Sequence, residues 1–450
     1  MKSIPVGPSG SALLTACLLA PGMAALAQYT PPPPPSPFTG FLNEALRKDD
    51  AGMKAWDLGG AARLRYENKD GGGIAGVPGS IDFRESNADN HNAYFLERIR
   101  FHAGYSNAWW TAYAEGRSSL AQGDERFAFA GVPPHKGFGP EQDSIDLHQA
   151  YLTVGNVAEF PLMLKAGRQE LIYADERFIG AVGWNNIGRV FDAAKVRWEQ
   201  EGFAADLFTA RPVIPVDDEF NPWNEDETFS GVYVTTPKVP KHLLEAYVLS
   251  RNAGPDAATA VERPQVGLPS ARDIYSVGVR LKSKPGEHGL WDYTLDAMGQ
   301  LGNYKDTRAG APAERLEHQA YAVIAQGGYT FADCPAKPRL GVEYAHASGD
   351  DDPTDGDHGT FDNLYPTNHK FYGYADFVSL QNLHAVRMSL SAKPTRQLSV
   401  AVEGNLFWLA DTADNFYTVA GAPRGGTGPT GGRGYGVNAG NDSYVGAELD

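Results

Sequence analysis

The sequence has little cysteine and a deficit of positive charge. Of its 450 residues only Cys17 and Cys334 are cysteine, which excludes a disulfide framework and a cysteine-based zinc site. Lysine and arginine number 39 against 55 aspartate and glutamate residues, so the formal net charge is −16. A chain this acidic is a poor partner for nucleic acid, because the phosphate backbone is itself negative.

Long apolar runs are also missing from most of the chain. After residue 27 no run approaches the roughly 18 residues that a helix needs to cross a membrane. If the mature chain inserts into a membrane, it therefore does so as a β-barrel. Glycine (51) and aromatic residues (21 tyrosines, 21 phenylalanines and 8 tryptophans) are abundant.

The N-terminus predicts export from the cytoplasm. Lys2 precedes a weakly apolar stretch, and Ala25-Leu26-Ala27 forms an A-x-A cleavage site, so residues 1–27 are predicted to be a signal peptide. The four residues that end at Cys17 also fit a lipoprotein processing box. Apolar sequence continues well past that cysteine, which favours the signal peptide.

The remaining chain divides into a linker and one large domain. Residues 28–57 are expected to form a proline-rich linker with a short helix, because Pro31 to Pro35 are consecutive prolines. Residues 58–450 are predicted to form a single barrel domain. Removal of the signal peptide leaves Cys334 as the only mature cysteine, so no intramolecular disulfide is expected.

Apolar and charged residues alternate throughout the mature chain. Leu64 and Tyr66, for example, alternate with Arg63 and Arg65. A period of two indicates β-strands whose faces differ. Because a buried unpaired charge is costly, the charged face is expected to line a wet lumen and the apolar face to meet lipid.

Sixteen strands are predicted: 61–68, 94–105, 109–118, 145–155, 161–170, 189–199, 202–211, 227–236, 242–250, 272–282, 291–301, 317–330, 337–347, 383–393, 396–409 and 443–450. Connections after even-numbered strands are short, and connections after odd-numbered strands are long. This alternation is typical of a transmembrane antiparallel up-and-down β-barrel with short periplasmic turns and long external loops. A soluble sandwich or propeller has no reason to sort its loops in this way.

Three segments carry recognisable motifs: Gly167-Arg168-Gln169-Glu170-Leu171, Gly183-Trp184-Asn185-Asn186 with Gly188-Arg189-Val190-Phe191-Asp192, and Ser348 to Phe377. Together they resemble the alginate-export family of outer-membrane porins, over nearly the whole mature chain. The resemblance implies a monomeric barrel of eighteen strands in the bacterial outer membrane, with a narrow arginine-lined pore that passes an anionic polysaccharide outward. Val445 to Asp450 is similar to the start of the family's third-last strand, so two further strands are expected in the natural protein.

The candidate pore-lining residues are twelve basic residues and two acids: Arg63, Arg65, Arg98, Arg100, Arg117, Lys165, Arg168, Arg189, Lys195, Arg197, Arg280, Arg387, Glu115 and Glu403. A polyuronate carries one carboxylate per sugar, and guanidinium groups would offset the hydration that these carboxylates lose on entry. Arginine suits this role because it stays charged and pairs with carboxylates bidentately. The acids would keep each site weak enough for the polymer to leave. The alternative is that these charges form salt bridges that brace the barrel.

Four aspartates in one segment are candidate metal ligands: Asp350, Asp352, Asp355 and Asp357. The segment is expected to lie outside the cell, where calcium would hold its carboxylates together. The spacing departs from an EF-hand, because Phe361 stands where a bidentate glutamate is required. A weak calcium site and a solvated acidic loop therefore both stay open. No other cofactor is expected, since the histidines are scattered and no glycine motif opens a helix.

Three function classes follow from the sequence. An export porin for an alginate-like polyuronate is favoured, and an uptake or diffusion porin for small anions or other solutes is the alternative. A secreted all-β enzyme such as a polysaccharide lyase is disfavoured by the loop pattern and the lack of a catalytic cluster, so no enzymatic activity is expected. The expected partners are outer-membrane lipid, an anionic polysaccharide and periplasmic export machinery that delivers the polymer; no nucleic acid is expected.

Overall fold

The computed structural model describes residues 40–69, 92–124, 141–217, 219–254, 271–305, 315–352, 354–419, 421, 423–424 and 443–450. The predicted signal peptide and residues 28–39 of the proline-rich linker lie outside these residues. The described end of the linker holds the expected short helix, α1 (Phe41–Asp49), and a 3₁₀ turn (Ala51–Ala55). No helix in the described ranges is long and apolar enough to cross a membrane.

The described chain forms nineteen strands: β1 (Trp56–Lys69), β2 (Asn92–Ser106), β3 (Trp110–Gln122), β4 (Asp143–Val154), β5 (Leu162–Gln169), β6 (Phe191–Gln200), β7 (Phe203–Pro212), β8 (Glu227–Thr236), β9 (His242–Ala253), β10 (Arg272–Ser283), β11 (Trp291–Lys305), β12 (Arg315–Thr330), β13 (Arg339–Ala347), β14 (Asp357–His358), β15 (Leu383–Ala392), β16 (Val400–Leu409), β17 (Phe416–Tyr417), β18 (Pro423–Arg424) and β19 (Tyr444–Leu449). Three of them, β14, β17 and β18, have two residues each. The other sixteen lie at the sixteen predicted positions. β1 begins at Trp56, two residues before the predicted start of the domain.

The long strands form one antiparallel meander. Each pairs with the next long strand along the chain, from β1 to β13 and then through β15, β16 and β19. The short β14 adds to the sheet in parallel with β12, and β17 and β18 form a separate two-stranded hairpin. Within the described residues β1 pairs only with β2, and β19 pairs only with β16. The predicted all-β, up-and-down architecture is confirmed.

The lengths of the connections alternate as predicted. The short ones are 107–109, 155–161, 201–202, 237–241, 284–290, 331–338 and 393–399, and the long ones are 70–91, 123–142, 170–190, 213–226, 254–271, 306–314, 348–382 and 410–443. In the tightest turn, Glu201 and Gly202 both have positive φ, at 49° and 79°. Such a two-residue turn matches the right-handed twist of the strands on either side.

The two faces of the sheet have the predicted composition. Leu64 and Phe101 point outward with 69% and 59% of their surface exposed, while Arg63 and Arg65 point inward. In a water-soluble protein so many exposed apolar side chains would be unfavourable, whereas lipid solvates them. The alternation of apolar and charged residues in the sequence therefore predicts correctly which side chains lie on each face of the sheet.

Two long connections fold into the concave side of the sheet, and we call them together the plug. The first inner loop is residues 170–190, and the second inner loop is residues 359–382. They are joined by backbone hydrogen bonds, from the Gly180 nitrogen to the Tyr365 oxygen (2.8 Å) and from the Tyr365 nitrogen to the Phe178 oxygen (3.0 Å). Their apolar side chains form the main hydrophobic cluster together with inward residues of β6 to β16.

The second inner loop shows that much of Ser348 to Phe377 packs against the inner side of the sheet, and the external location of the segment stays a prediction. The described residues between Asp351 and Asp357 are exposed, but Phe361 and Tyr372 are buried in the plug. Apolar residues in this segment find partners on the inner side of the sheet, which removes them from water.

Buried ion pairs anchor the plug to the sheet. Arg177 of the first inner loop lies 2.8 Å from Glu343 on β13. Asp362 of the second inner loop pairs with Arg251 (2.9 Å) and with Arg272. Burial acts to raise the pKa of the Asp362 carboxyl, but these two guanidinium groups outweigh it and hold the pKa well below its usual range. The loop is therefore attached through groups that stay charged.

The short connection between β12 and β13 contains Cys334. The prediction that Cys334 is the only mature cysteine depends on removal of residues 1–27, which lie outside the described residues. The only other cysteine of the sequence, Cys17, lies outside the described residues.

Candidate functional site

The plug covers the inner side of the sheet unequally. Its apolar cluster takes side chains from β6 to β16, whereas β1 to β5 contribute none of the described members. The inward positions of β1 to β5 carry many charged residues, together with a small separate apolar cluster of Tyr94, Leu96 and Ala121. We call this surface the charged wall. Because the apolar core lies on the opposite side, the charged wall is the inner surface on which a polar solute can be accommodated.

Arginines face one another on the charged wall. Arg63 on β1 is directly opposite Arg98 on β2, and Arg100 on β2 is directly opposite Arg117 on β3. Like charges placed directly opposite each other destabilise a sheet unless something compensates them. We call these four residues the arginine ladder.

Carbonyl groups compensate Arg63 and Arg98. Arg98 Nη1 donates to the carbonyl oxygens of Gly183 (3.0 Å) and Asn185 (2.9 Å), and Arg63 makes longer bonds of 3.5 Å and 3.4 Å to the same two oxygens. Neither guanidinium forms an ion pair with a described residue. Carbonyl dipoles solvate a cation without neutralising it, so the two positive charges persist.

Arg65 lies beside the ladder and contacts the plug. Its guanidinium stacks over the indole of Trp184 at 4.3 Å and donates to the Trp184 carbonyl oxygen (2.6 Å). It also pairs with Glu141 (2.8 Å) and Glu67 (2.6 Å). Trp184 also stacks on a residue of the second inner loop, because the His369 ring lies nearly parallel to the indole with the ring centres 4.4 Å apart. Arg65 is therefore held in place by both inner loops.

Arg100 has two buried donor atoms, Nε and Nη2, without a hydrogen-bond partner among the described residues. Its Nη1 lies 3.5 Å from Glu115 and 3.7 Å from Glu170, and both distances exceed those of a good ionic hydrogen bond. A buried donor without a partner is unfavourable, so the guanidinium of Arg100 is incompletely compensated by the described residues.

Arg117 is not available to a solute. Its side chain is 1% exposed, pairs with Asp143, and contacts His148 Nδ1 (2.8 Å) and the Ile187 carbonyl oxygen (2.8 Å). His148 in turn contacts Glu170 at 3.1 Å. These bonds attach the first inner loop to β3 and β4, so this arginine, a predicted pore residue, positions the loop.

Three basic residues continue the charged side onto β5 and β6. Lys165 is directly opposite Lys195, and its ammonium lies 3.6 Å from the centre of the Tyr151 ring. Lys195 pairs with Asp206 (3.2 Å). Arg197 pairs with Glu199 (2.7 Å) and with the same aspartate (2.9 Å). Of these three, Lys165 alone has no ion pair with a described residue.

Two further predicted pore residues form ion pairs with neighbouring acids. Arg168 pairs bidentately with Asp192, with both bonds at 2.9 Å. Arg280 is 3% exposed and pairs with Glu245 and with Asp175. This is the bracing arrangement that the sequence left open as an alternative.

Arg387 and Glu403 also form part of a brace. Arg387 lies 2.9 Å from Glu343 and 3.4 Å from Glu403. Glu343 is also the partner of Arg177 in the plug. The four groups join β13, β15 and β16 to the first inner loop.

Arg189 joins the two inner loops to each other. It donates to the carbonyl oxygens of Gly180 (3.3 Å) and Pro366 (2.9 Å), and its guanidinium lies over the Tyr365 ring. Burial lowers the pKa of Arg189 to about 10. The group therefore stays charged at neutral pH, but inside the plug and not on the charged wall.

The candidate metal ligands are not gathered around one point. Asp352 accepts hydrogen bonds from Thr354, and Asp355 accepts one from the Asp357 nitrogen (2.8 Å). Asp350 is buried, whereas Asp357 is exposed. The described residues contain no group of three or more histidine, cysteine, aspartate or glutamate side chains placed to hold a metal. The calcium site stays a prediction.

Two residues of the site carried no role in the sequence analysis. Asn186 is buried, and its amide donates to the carbonyl oxygens of Glu97 (3.0 Å) and Leu120 (3.2 Å), which ties the first inner loop to β2 and β3. Trp184 links Arg65 to the second inner loop. Both belong to the Gly183-to-Asn186 motif, so the motif was visible in the sequence although its contacts were not.

Comparisons with known proteins complete the description. A family model described as alginate export matches residues 81–450. The chain is similar to the solved structure of Pseudomonas aeruginosa OccK11 (OpdR), with 11% identity, 79% of each chain covered and a TM-score of 0.43. It is also similar to Pseudomonas putida OprB at high pH (12% identity, 81% of this chain and 91% of that chain, TM-score 0.43). A third similar structure is Pseudomonas aeruginosa OccK2 (OpdF) in complex with glucuronate. Its sequence identity is 9%, the match covers 78% of this chain and 79% of that chain, and the TM-score is 0.45. No curated protein sequence matches the chain.

Proposed function

Because the chain belongs to the alginate export family, and is thus a porin of the bacterial outer membrane, we propose that it passes an anionic polysaccharide outward along its charged wall. The substrate class is a polyuronate, a polymer of pyranose sugars with one carboxylate each. The polymer enters on the side of the short connections, which face the periplasm in outer-membrane barrels. Lipid contacts the outward side chains, and periplasmic machinery that delivers the polymer is part of the proposal.

One observation carries this proposal: Arg63 and Arg98 keep positive charge that no carboxylate of the described residues pairs with, and Arg100 lies at longer distances from its two acidic neighbours. Carbonyl oxygens hold the first two, and Arg100 retains unpaired donors. A polyuronate loses hydration when it enters a narrow lumen, and guanidinium groups replace that hydration with charge-assisted hydrogen bonds. The geometry supports binding of carboxylates at this wall.

Acidic residues lie beside the arginines, and they favour passage of the polymer because they prevent it from binding too tightly. Glu115 and Glu170 lie within 4 Å of Arg100, and Glu141 pairs with Arg65. Each acid lowers the affinity of its neighbouring arginine for a solute carboxylate. Conduction requires binding that is strong enough for entry and weak enough for release.

Single-channel recording in planar bilayers tests the proposal. We expect anion selectivity in a potassium chloride gradient and transient block by polyuronate oligomers added on the side of the short connections. Uncharged oligomers of the same length should block more briefly. A cation-selective channel, or one in which both oligomers block equally, would contradict the proposal.

A diffusion porin for small anions is the second candidate. The observation in its favour is the plug, which packs against the inner side of β6 to β16 and narrows the lumen. Under this alternative, monomeric uronate would carry measurable current, while oligomers would neither block nor pass. Liposome swelling with monomer and with oligomer separates the two functions.

A further inference from the structure

Three rings form a row on the inner side of the sheet: His102 on β2, Tyr113 on β3 and Tyr151 on β4. The centres of the His102 and Tyr113 rings are 5.5 Å apart, and those of Tyr113 and Tyr151 are 5.2 Å apart. The interplanar angles are 25° and 22°, so neighbouring rings are close to parallel. We call this row the ring shelf.

The ring shelf lies between the arginine ladder and the periplasmic end of the sheet. His102 follows Arg100 by two residues, and Tyr113 precedes Glu115 by two. All three rings lie toward the short connections 107–109 and 155–161. A polymer that enters from the periplasm therefore meets the rings before it meets the ladder.

Glycines leave room for the rings. His102 is directly opposite Gly59, and Tyr113 is directly opposite Gly104. A Cβ atom on Gly59 would lie 2.7 Å from His102 Cε1, and one on Gly104 would lie 3.1 Å from Tyr113 Cδ2. Since any side chain at either position would press on its ring, the rings lean over neighbouring backbone. Tyr151 is likewise opposite a glycine, Gly167.

The rings are not core residues. They are only partly buried, and none belongs to the hydrophobic clusters of the described residues. Tyr113 donates to Glu115 (2.9 Å), which holds the ring beside Arg100. Stacking of rings across strands supports the sheet, and the parts of the rings that remain exposed to the lumen can contact a ligand.

A cation completes the arrangement. The Lys165 ammonium lies 3.6 Å from the centre of the Tyr151 ring and makes no ion pair with a described residue. Lys195 lies directly opposite it. The shelf therefore offers aromatic surface and positive charge side by side, which are the two features that a uronate sugar would recognise.

We propose that the ring shelf is a sugar-binding subsite, in which the partly exposed edges of the Tyr113 and Tyr151 rings contact a pyranose while Lys165 contacts the carboxylate. The C–H groups at the edge of an aromatic ring carry partial positive charge, so they attract the oxygen atoms of a sugar. This inference deepens the proposed function and rests on it for the identity of the polymer. It adds that the sugar ring itself, and not only its charge, is recognised.

The experiment compares how long oligomers block single channels of wild type and of Tyr113→Leu/Tyr151→Leu. Two probes are used, a polyuronate oligomer and an uncharged pyranose oligomer of equal length. Loss of both rings should shorten block by each probe by about two- to tenfold, because an aromatic contact contributes roughly 1 kcal/mol. Tyr113→Phe/Tyr151→Phe keeps the rings and should restore the wild-type block times. Lys165→Gln should shorten block by the polyuronate only.

Controls separate this inference from the proposed function. Tyr275→Leu removes a ring from the outward face of β10 and should leave block times unchanged. Heat-modifiable mobility on gels verifies that each variant is folded. If wild type is cation-selective, the polyuronate export proposal fails, and the shelf is then judged by the uncharged probe alone. If block times of the leucine double variant equal those of wild type for both probes, or if neither probe blocks wild type, the shelf is a structural cluster and this inference is overturned.

Discussion

Arg63 and Arg98 face each other directly across β1 and β2, and their guanidinium groups share the carbonyl oxygens of Gly183 and Asn185. The sheet thus brings two like charges together and the first inner loop partly solvates them. An arriving anion would relieve the repulsion that remains, because it neutralises charge where carbonyl dipoles do not.

Removal of this pair should reduce anion selectivity. In Arg63→Gln/Arg98→Gln we expect the anion-to-cation permeability ratio to fall by about two- to tenfold, since charges beside low-dielectric walls act on every passing ion. The reversal potential in a potassium chloride gradient measures it. The matched control is Arg315→Gln/Arg396→Gln, which removes two charges from exposed positions. Equal reversal potentials in the two double variants would contradict the role of the ladder.

Loss of Glu343 should loosen the plug. Glu343→Ala leaves Arg177 and Arg387 without their shared carboxylate, and an unpaired buried charge lowers the free energy of unfolding by about 3–5 kcal/mol. Urea unfolding in lipid vesicles measures the loss. Arg315→Ala, which breaks the exposed pair with Asp273, should cost less than about 1 kcal/mol. Similar losses in the two variants would show that burial does not decide how much an ion pair contributes to the free energy of unfolding.

Acid should release the second inner loop. The pKa of Asp362 is lower in the folded chain than in the unfolded chain, so its contribution to stability is present above the unfolded pKa of about 3.9. That contribution is lost as pH falls below this value toward the folded pKa. Hydrogen exchange of residues 359–368 between pH 6 and pH 3 measures it. Asp362→Asn should remove most of the pH dependence, and an unchanged profile in this variant would assign the effect to other groups.

The apolar core of the plug should be sensitive to truncation. Phe361 is completely buried, so Phe361→Ala should lower the free energy of unfolding by about 3–5 kcal/mol through lost contacts and a cavity. Phe160→Ala changes a ring that is 54% exposed in the connection between β4 and β5, and should cost far less. The same urea titration reports both. A small effect at Phe361 would mean that the plug is not packed as described.

The sheet could be predicted from sequence because its signals are local. Leu64 and Arg65 are neighbours in sequence, and their alternation assigns both faces of β1 without knowledge of any other strand. Connection lengths are equally local, and they gave the up-and-down order. The family motifs added the expected class of transporter, which the sixteen strands alone do not specify.

Local patterns in the sequence could not predict which arginines form ion pairs with carboxylates and which do not. Arg63 and Arg280 have the same alternation around them, yet Arg280 pairs with Glu245 from β9 and Arg63 meets carbonyl oxygens from residues 120 and 122 positions away. Pairing depends on which strands and loops meet, and that is set by long-range packing. The plug was missed for the same reason, since Phe361 and Tyr372 resemble loop residues until their partners are known.

The apolar cluster of the plug takes side chains from β6 to β16 and, among its described members, none from β1 to β5. Recognition of a solute and stability of the fold therefore depend on different residues. If the proposed function holds, substitutions on the charged wall, such as those at Arg98 or Tyr113, should alter what is recognised and leave the packing around Phe361 and Glu343 in place. Substitutions on the packed side alter stability without changing the chemistry that a solute meets. A lineage of such proteins can therefore acquire new cargo by changing one side of its lumen while the other side keeps the molecule intact.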